Sequence, residues 1–295
     1  MAESGASGSG PGRVRIVTDS MAWLPPDLAR AHDIRVVPLH VLFGQEQFTE
    51  GVDLTNQEFY RRLRETKAMP TTSQPAVGEF LDVYREVAQD AQAIVSIHAS
   101  GKLSGTVNAA HRAATEFRGE RPDVPVEVID TLQIATAEGI VAIEAAEAAA
   151  RGAGLAEIVA AAQALAPKCR ILVTVETLEF LQRGGRIGRA RALLGSLLRI
   201  RPILTVENGE VAPKDRARTR AQAIERMVQA MADYAQGRPF GHVGILHAEA
   251  PDAARDLTEA IRARFSVNRF IATEIGPVIG THVGPGAFAA TFHCD

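Results

Sequence analysis

The stretch AIVSIHASGKLSGTVNAAHRAATEF, residues 93–117, decides the fold class of this chain. Its first seven residues, 93–99, are mostly apolar and predict a buried strand. The segment from Ser104 to Phe117 predicts the helix that follows, after a short loop with Gly and Ser. A strand that leads through a loop into a helix is typical of a βαβ unit and a parallel sheet.

The same alternation extends to both sides of this stretch. Apolar runs predict strands at 14–18, 34–43 and 126–130, and helical spacing predicts helices at 57–65, 76–89 and 134–150. We therefore expect an N-terminal α/β domain over residues 13–168, built on a mostly parallel sheet with helices.

The second half of the chain has a different pattern. Asn208-Gly209 lies between two extended runs, which is the strongest short signal for a β-hairpin. Further strands are expected at 170–175, 242–247, 269–274 and 287–292, with helices at 155–165, 219–234 and 253–265. We expect a C-terminal α/β domain over residues 169–295 with a mixed or antiparallel sheet. The boundary is placed near Pro167 to Arg170.

Composition narrows the class of protein. The chain has 295 residues and a net charge of -3, which argues against a nucleic-acid-binding protein. Its two cysteines, Cys169 and Cys294, predict neither a disulfide framework nor a cysteine zinc site. Residues 1–12 lack the features of a signal peptide and are expected to form a flexible tail. No apolar run is long enough to span a membrane, so we expect a cytoplasmic protein.

Three short polar segments contain the candidate site residues: Thr71-Thr72-Ser73-Gln74-Pro75, Leu103-Ser104-Gly105-Thr106 and Thr281-His282-Val283-Gly284-Pro285-Gly286. Each is bent by Gly or Pro between apolar runs and offers hydroxyls or an imidazole to a ligand. Thr72 is expected in a turn whose N–H groups pair with no strand, and His282 at the edge of a loop. None has the spacing of a metal site, a Walker loop or a nucleophile elbow. Together they predict a site for a small anionic group.

The order of the motifs resembles that of the DegV family. They are Thr18-Asp19-Ser20 with Leu24-Pro25, Thr72-Ser73-Gln74-Pro75, Leu103-Ser104-Gly105-Thr106, Leu178-Glu179-Phe180-Leu181 with Gly184-Gly185-Arg186-Ile187-Gly188, Leu193-Leu194-Gly195-Ser196-Leu197-Leu198 with Arg201-Pro202-Ile203-Leu204, and His282-Val283-Gly284-Pro285-Gly286. The resemblance covers residues 14–292. It implies two α/β domains with a fatty acid held between them. It also implies that the chain is the fatty-acid-binding subunit of bacterial fatty acid kinase, and that a separate catalytic subunit phosphorylates the bound acid.

The resemblance, taken with the chemistry of the residues, gives each candidate a role. Thr72, Ser104 and His282 are expected to bind the carboxylate of a long-chain fatty acid, and Arg186 to meet the carboxylate, a phosphate or a partner. Supporting roles are expected for Ser73, Gly105, Thr106 and Gly284. The bound acid is the expected ligand, with no other cofactor and no metal. Gly101 stands where the family usually has a serine, and Ala289 where it tends to have glycine.

Two other function classes stay open at this point. One is a hydrolase or acyltransferase with Ser104 as nucleophile and His282 as base, although the chain has no Gly-x-Ser-x-Gly elbow. The other is a ligand-responsive regulator. Residues 183–220 contain ten basic and three acidic side chains, which favours either a solvated basic face or a docking surface for an acidic partner or a phosphate-bearing substrate.

Overall fold

The structure is a computed structural model that describes residues 13–66, 69–195 and 200–294. The expected flexible tail, residues 1–12, lies outside the described residues, as does Arg199 of the basic segment. In the part of the chain that is described, no helix combines the length and apolar character needed to cross a membrane.

The strands, in chain order, are β1 (Val14–Asp19), β2 (Ile34–Val37), β3 (His40–Phe43), β4 (Glu46–Thr49), β5 (Thr71–Ser73), β6 (Ala93–His98), β7 (Val126–Asp130), β8 (Arg170–Thr174), β9 (Arg201–Glu207), β10 (Glu210–Ala217), β11 (Phe240–His247), β12 (Val267–Glu274) and β13 (Phe288–Cys294). The helices are α1 (Pro26–Ala31), α2 (Asn56–Glu65), α3 (Val77–Val87), α4 (Thr106–Glu120), α5 (Thr136–Ala150), α6 (Leu155–Leu165), α7 (Glu179–Arg183), α8 (Arg220–Ala235), α9 (Pro251–Arg264) and α10 (Pro277–Val283). Short 3₁₀ segments occur at Ser20–Ala22, Ala166–Lys168 and Gly188–Leu193.

A parallel sheet of four strands, in the order β2-β1-β6-β7, forms the first layer of the fold. Its central strands, β1 and β6, are buried on both faces because helices cover each side. Val17 and Ile94 pack with α3 and α4, whereas Ile16 and Val95 pack with α5 and α6. Residues 93–117 thus fold as β6, a loop and α4, and the predicted parallel sheet is confirmed.

The second sheet has six strands in the order β10-β9-β8-β13-β11-β12. Only β11 and β12 pair in parallel, so the predicted mixed sheet is confirmed. Asn208 and Gly209 both have positive φ, 52° and 81°, as a two-residue hairpin turn between β9 and β10 requires. Helices α8 and α9 cover one face of the sheet, and the other face points toward the parallel sheet and α5.

A small antiparallel sheet, β4-β3-β5, corrects one expectation. The segment around Thr72 was expected to be a turn with uncommitted N–H groups, but Thr72 lies in β5 opposite Val41 of β3. A second correction concerns His282, expected at a loop edge. It lies in the last turn of the short helix α10.

The division of the chain at residues 168 and 169 stays a prediction. One apolar cluster contains side chains from both parts, among them Trp23, Leu39, Leu204 and Leu246. The two parts therefore share a buried core, and the candidate site lies within it.

Candidate functional site

A cavity of about 330 Å³ lies between the six-stranded sheet, helix α10 and the loops that follow the strands of the parallel sheet. Most of its lining is aliphatic or aromatic and comes from both parts of the chain: Met21, Trp23, Leu39, Leu103, Ile134, Ala135, Ile171, Val173, Val175, Leu181, Leu204, Val206, Val211, Leu246, Ile275, Val278, Ile279, Val283 and Ala289. The volume is in the range typical of small-molecule sites, and the lining favours an apolar ligand.

The polar lining consists of Thr72, Ser73, Gln74, Ser104, Gly105, Thr205, Arg186 and His282. Apart from Thr205, these residues come from β5 and the loop after it, the loop before α4, the loop after α7, and α10. The four residues expected to bind a carboxylate thus meet at one cavity, although 210 residues separate Thr72 from His282. Sequence reasoning missed Gln74 as a lining residue. Its place in the Thr-Ser-Gln-Pro motif was the available signal.

Thr72 and His282 are in direct contact. Thr72 Oγ1 lies 3.0 Å from His282 Nε2, which is a hydrogen-bond distance. Thr72 is held by its pairing with Val41, and His282 by helix α10. The contact therefore joins the small antiparallel sheet to the C-terminal part of the chain across the cavity.

His282 is a neutral imidazole near pH 7. Burial lowers the pKa of His282 to about 4, and the nearby positive charge of Arg186 lowers it further. Its other ring nitrogen, Nδ1, is buried and has no hydrogen-bond partner among the described residues. That nitrogen faces Gly184, where an added Cβ would lie only 2.2 Å away. The close approach explains why a glycine occupies position 184.

Ser104 lies at the entrance to helix α4. Its Oγ is 2.8 Å from Thr106 Oγ1 and accepts a hydrogen bond of 3.3 Å from Thr106 N. The helix begins at Thr106, so Gly105 is the N-cap residue and Ser104 precedes it by one position. A Cβ at Gly105 would overlap the Gln74 amide, which shows how tightly the two loops pack.

Arg186 holds two loops together beside the cavity. Its Nε donates to the carbonyl of Leu103 at 3.0 Å, and its Nη1 donates to the carbonyl of Gly184 at 2.7 Å. Both acceptors are neutral backbone oxygens, so the guanidinium charge has no carboxylate partner within the described part of the chain. The positive charge is thus available to an anion in the cavity.

Two of the expected supporting residues do not line the cavity. Thr106 is fully buried and contacts Ser104. Gly284 has a φ of 73°, and a Cβ there would meet the ring of Phe180 at 2.3 Å. Both residues therefore shape the loops behind the polar lining. Gly101 is also outside the lining, whereas Ala289 is part of it.

The Thr18-Asp19-Ser20 motif lies behind the cavity. Asp19 accepts a hydrogen bond from Met21 N at 2.9 Å, and its other oxygen is 2.8 Å from His98 Nδ1. Glu138 is fully buried nearby, and burial together with Asp19 raises the pKa of Glu138 well above its usual value. These contacts fix the chain before Met21 and Trp23, which do line the cavity.

Glu50 is a buried residue that sequence reasoning missed. It accepts hydrogen bonds from Ser20 Oγ at 2.5 Å and from Val278 N at 2.8 Å, so it holds the first turn of α10. Burial raises the pKa of Glu50 to about 7, against the opposing effect of these two hydrogen bonds. Because α10 carries His282, Glu50 helps to position the imidazole.

The basic segment 183–220 is partly neutralised by acids outside it. Arg183 pairs with Glu179, Arg201 with Glu176 and Arg220 with Asp256, and Arg189 pairs with Glu207 inside the segment. In the described portion of the segment, Arg191, Lys214, Arg216 and Arg218 have no such ion pair. The surplus of positive charge is therefore smaller than the sequence count indicates.

A family model fits almost the whole of the described chain. The model for an uncharacterised protein of the DegV family, COG1307, matches residues 13–294. The chain belongs to the DegV family. Membership of this family, inferred from the six motifs, is therefore confirmed.

Several DegV-family proteins are similar to this chain over nearly their full lengths. A DegV domain-containing protein of Streptomyces coelicolor is 40% identical over 275 residues, which are 92% of this chain and 95% of that protein. A solved structure described as fatty acid binding of a DegV family protein from Thermus thermophilus has a TM-score of 0.90 and 37% identity, covering 96% of this chain and 100% of that one. DegV of Bacillus subtilis, described as a fatty acid binding protein, has a TM-score of 0.87 and 32% identity, covering 96% and 100%.

Proposed function

We propose that this DegV-family protein binds one long-chain fatty acid in the cavity, with the carboxylate at Thr72, Ser104, Arg186 and His282. The proposal is carried by an apolar cavity whose polar lining includes one cation without a carboxylate partner, the hydroxyls of Thr72 and Ser104, and the His282 imidazole. This combination matches an amphipathic anion with a long hydrocarbon chain.

The acyl chain supplies the driving force. Burial of each methylene contributes ~0.8 kcal/mol, so about 15 methylenes contribute on the order of 10 kcal/mol before ordering costs. The aliphatic lining from both parts of the chain provides the enclosed surface for this burial. A bound acid therefore also stabilises the contact between the two parts.

The bound carboxylate requires an opposite charge and hydrogen-bond donors, because a buried charge without partners is unfavourable. Arg186 provides the opposite charge, and Thr72 and Ser104 provide hydroxyl donors within the same lining. Neutral His282 can donate one N–H or take up a proton when an anion arrives. Two solved relatives described as fatty-acid-binding proteins support the proposal by their similarity in fold and sequence.

The proposed biological role is that of a carrier subunit in the cytoplasm. The chain presents the fatty-acid carboxylate to the catalytic subunit of a fatty acid kinase, which phosphorylates it to an acyl phosphate for phospholipid synthesis. The site favours this role because its polar lining holds hydroxyls and a cation that suit both a carboxylate and an acyl phosphate. Exposed arginines near Arg186 offer a surface of the right charge for an acidic partner.

The arrangement of Ser104 disfavours a serine hydrolase. Nucleophilic catalysis needs a base within hydrogen-bond reach of the hydroxyl. Ser104 Oγ is bonded to Thr106, and His282 Nε2 is bonded to Thr72. The imidazole therefore activates no serine in this arrangement, and binding explains the residues better than catalysis.

The decisive experiment is mass spectrometry of the lipid released when the purified protein is denatured. We expect a long-chain fatty acid at close to one mole per mole of protein. A matched preparation of the Arg186→Ala variant should carry less. Recovery of no fatty acid, together with no uptake of added palmitate or oleate by the delipidated protein, would contradict the proposal.

A further inference from the structure

A second cluster of polar side chains lies on the six-stranded sheet, away from the cavity. It consists of His242 in β11, His293 in β13 and Glu144 in α5. Leu246, which lines the cavity, is four residues from His242 along β11. At about 3.3 Å per residue, the cluster lies ~13 Å from the cavity lining along this strand. The fatty-acid site therefore does not use these three residues.

The ligand atoms of the cluster converge. His242 Nδ1 is 3.0 Å from His293 Nε2 and 3.6 Å from Glu144 Oε1. Two ligands bound to one metal ion at about 2.0–2.1 Å are separated by roughly 2.9 Å at a right angle and roughly 3.4 Å at a tetrahedral angle. The observed separations are close to this interval. All three ligand atoms lie within 4.8 Å of one another, so a rotation of the partly exposed Glu144 side chain can bring them onto one ion.

The backbone places both rings on the same face of the sheet. His242 and His293 are directly opposite in the antiparallel pairing of β11 with β13. The register of this pairing shifts between Phe240 and His242, which marks a bulge. Bulges turn a side chain out of its regular direction and are common beside functional sites. The irregularity is thus located at one of the candidate ligands.

The ring of His293 is oriented as a metal ligand requires. Its Nδ1 lies 3.4 Å from the carbonyl oxygen of Cys294, where an N–H can donate weakly. That tautomer leaves the lone pair on Nε2, the atom that faces His242 and Glu144. Histidine ligands commonly donate their second N–H to a backbone carbonyl in this way.

The local charge favours a cation. Glu144 and Glu147 both lie on α5, and Arg269, opposite His242 on β12, donates to Glu147. Glu147 thus offsets Arg269. Across the described residues, Glu144 has no ion pair with lysine or arginine, so its negative charge can offset part of the charge of a divalent ion.

An ion can reach this cluster from solvent. His242 borders an open cleft of about 580 Å³ that also contains His32 and Arg269. Glu144 is about one-third exposed, at 36%, although both histidines are buried. The buried thiol of Cys169 is not part of this converging group.

We propose that His242 Nδ1, His293 Nε2 and the Glu144 carboxylate form a binding site for one divalent transition-metal ion, with water completing the coordination. Two imidazoles and one carboxylate suit zinc and its neighbours rather than magnesium or calcium. The ion ties α5 to β11 and β13, and so clamps the two parts of the chain that enclose the cavity. The proposal departs from the expectation of no metal that the sequence motifs gave.

The test uses the untagged full-length chain, stripped with a chelator and dialysed. Zn²⁺ is titrated by calorimetry, and Co²⁺ by its visible absorption, which reports coordination directly. We expect one ion per chain and a rise in the thermal unfolding temperature when Zn²⁺ is added. His293→Gln should weaken binding at least a hundredfold and remove the rise in unfolding temperature.

Two further variants make the test specific. Glu144→Gln changes a partly exposed residue, so it is the variant least expected to disturb folding, and it should weaken Zn²⁺ binding at least tenfold. His111→Gln removes an exposed histidine on α4 and should leave binding unchanged. Absence of stoichiometric binding in the unmodified chain overturns the proposal. So does binding that neither His293→Gln nor Glu144→Gln weakens.

Discussion

Thr72 Oγ1 and His282 Nε2 lie 3.0 Å apart, although the two residues are 210 positions apart in the chain. Thr72 belongs to an edge strand of the small antiparallel sheet, and His282 to a helix that Glu50 holds at its other end. The contact is therefore a direct link between the two parts of the chain at the polar lining of the cavity. Changes at either residue should alter fatty-acid binding.

Thr72→Ala and Ser104→Ala should each weaken the binding of a long-chain fatty acid by roughly tenfold to a hundredfold. A hydrogen bond to a charged group contributes about 1.5–3 kcal/mol, and each substitution removes one hydroxyl from the polar lining. Binding is measured by fluorescence titration of the delipidated protein with a labelled fatty acid. Thr115→Ala, at an exposed position on α4, is the matched control and should bind normally. Full affinity in both site variants, with circular dichroism unchanged, would rule out the carboxylate assignment.

Gly184→Ala should weaken fatty-acid binding by about tenfold or more. The added Cβ would lie 2.2 Å from His282 Nδ1, so the imidazole must move, and such overpacking typically costs about 1–3 kcal/mol. The φ of Gly184 is -73°, which alanine adopts without strain, so the effect is one of contact alone. Gly119→Ala is the control, because nothing lies within 4 Å of its added Cβ. Equal affinities of the two variants would show that the position of the His282 ring is unimportant for binding.

The free energy of unfolding should depend on pH through His282. The folded state lowers its pKa from 6.5 to about 4, so the unfolded state binds the proton more readily. The contribution to stability is complete above pH 6.5 and is lost as the pH falls toward 4. The full loss is about 3 kcal/mol, because one pKa unit corresponds to about 1.4 kcal/mol.

Glu50 acts in the opposite direction, so the measurement must be differential. Its folded pKa of about 7 lies above the usual 4.5, and its contribution is present below pH 4.5 and lost as the pH rises to 7. Denaturant unfolding of the delipidated protein and of His282→Gln is compared from pH 7.5 to 4. The difference between the two free energies of unfolding should change by about 3 kcal/mol over that range. Parallel curves would show that His282 does not titrate as described.

The sequence predicts the fold well because the relevant signals are local. The spacing of apolar residues and the identity of the turn residues predict three elements at almost the observed bounds: the strand before α4, the Asn208-Gly209 hairpin and helix α6. Strand β5 and helix α10 escape prediction because they are short and depend on tertiary partners. Thr72 pairs with a strand some 30 positions earlier. Helix α10 contains Gly280 and is held by Glu50.

In the candidate site too, the sequence predicts the residues but not the tertiary contacts between them. The motifs around Thr72, Ser104 and His282 predict a shared ligand, but only the folded chain shows that Thr72 bonds to His282 whereas Ser104 bonds to Thr106. The cluster of His242, His293 and Glu144 that we propose as a metal site could not be predicted from the sequence. Its two histidines are 51 positions apart and become neighbours through strand pairing, so no ligand spacing reveals them.

The chain alone should form no acyl phosphate. Its motifs include no phosphate-binding loop for ATP, and the proposed role assigns that chemistry to a separate kinase subunit. Incubation of the purified chain with ATP, magnesium and oleate is followed by trapping of acyl phosphate with hydroxylamine. Product is expected only when the catalytic subunit of a bacterial fatty acid kinase is added. Product from the chain alone, abolished by Ser104→Ala, would indicate an enzyme instead of a carrier.

Charge reversal in the arginine-rich segment should separate docking from lipid binding. Arg189 and Arg191 are exposed in the 3₁₀ segment after Gly188 and lie outside the cavity lining, so Arg189→Glu and Arg191→Glu should leave fatty-acid affinity nearly unchanged. Phosphorylation of the bound acid by the kinase subunit should fall several-fold and become less sensitive to salt, because exposed charges are screened within about 8 Å at physiological ionic strength.

Arg191→Glu is the cleaner variant, since Arg189 already pairs with Glu207. Arg118→Glu on α4 makes the same change in net charge elsewhere and should phosphorylate normally. Equal losses of affinity and phosphorylation would place these arginines in support of the cavity and would end the docking proposal.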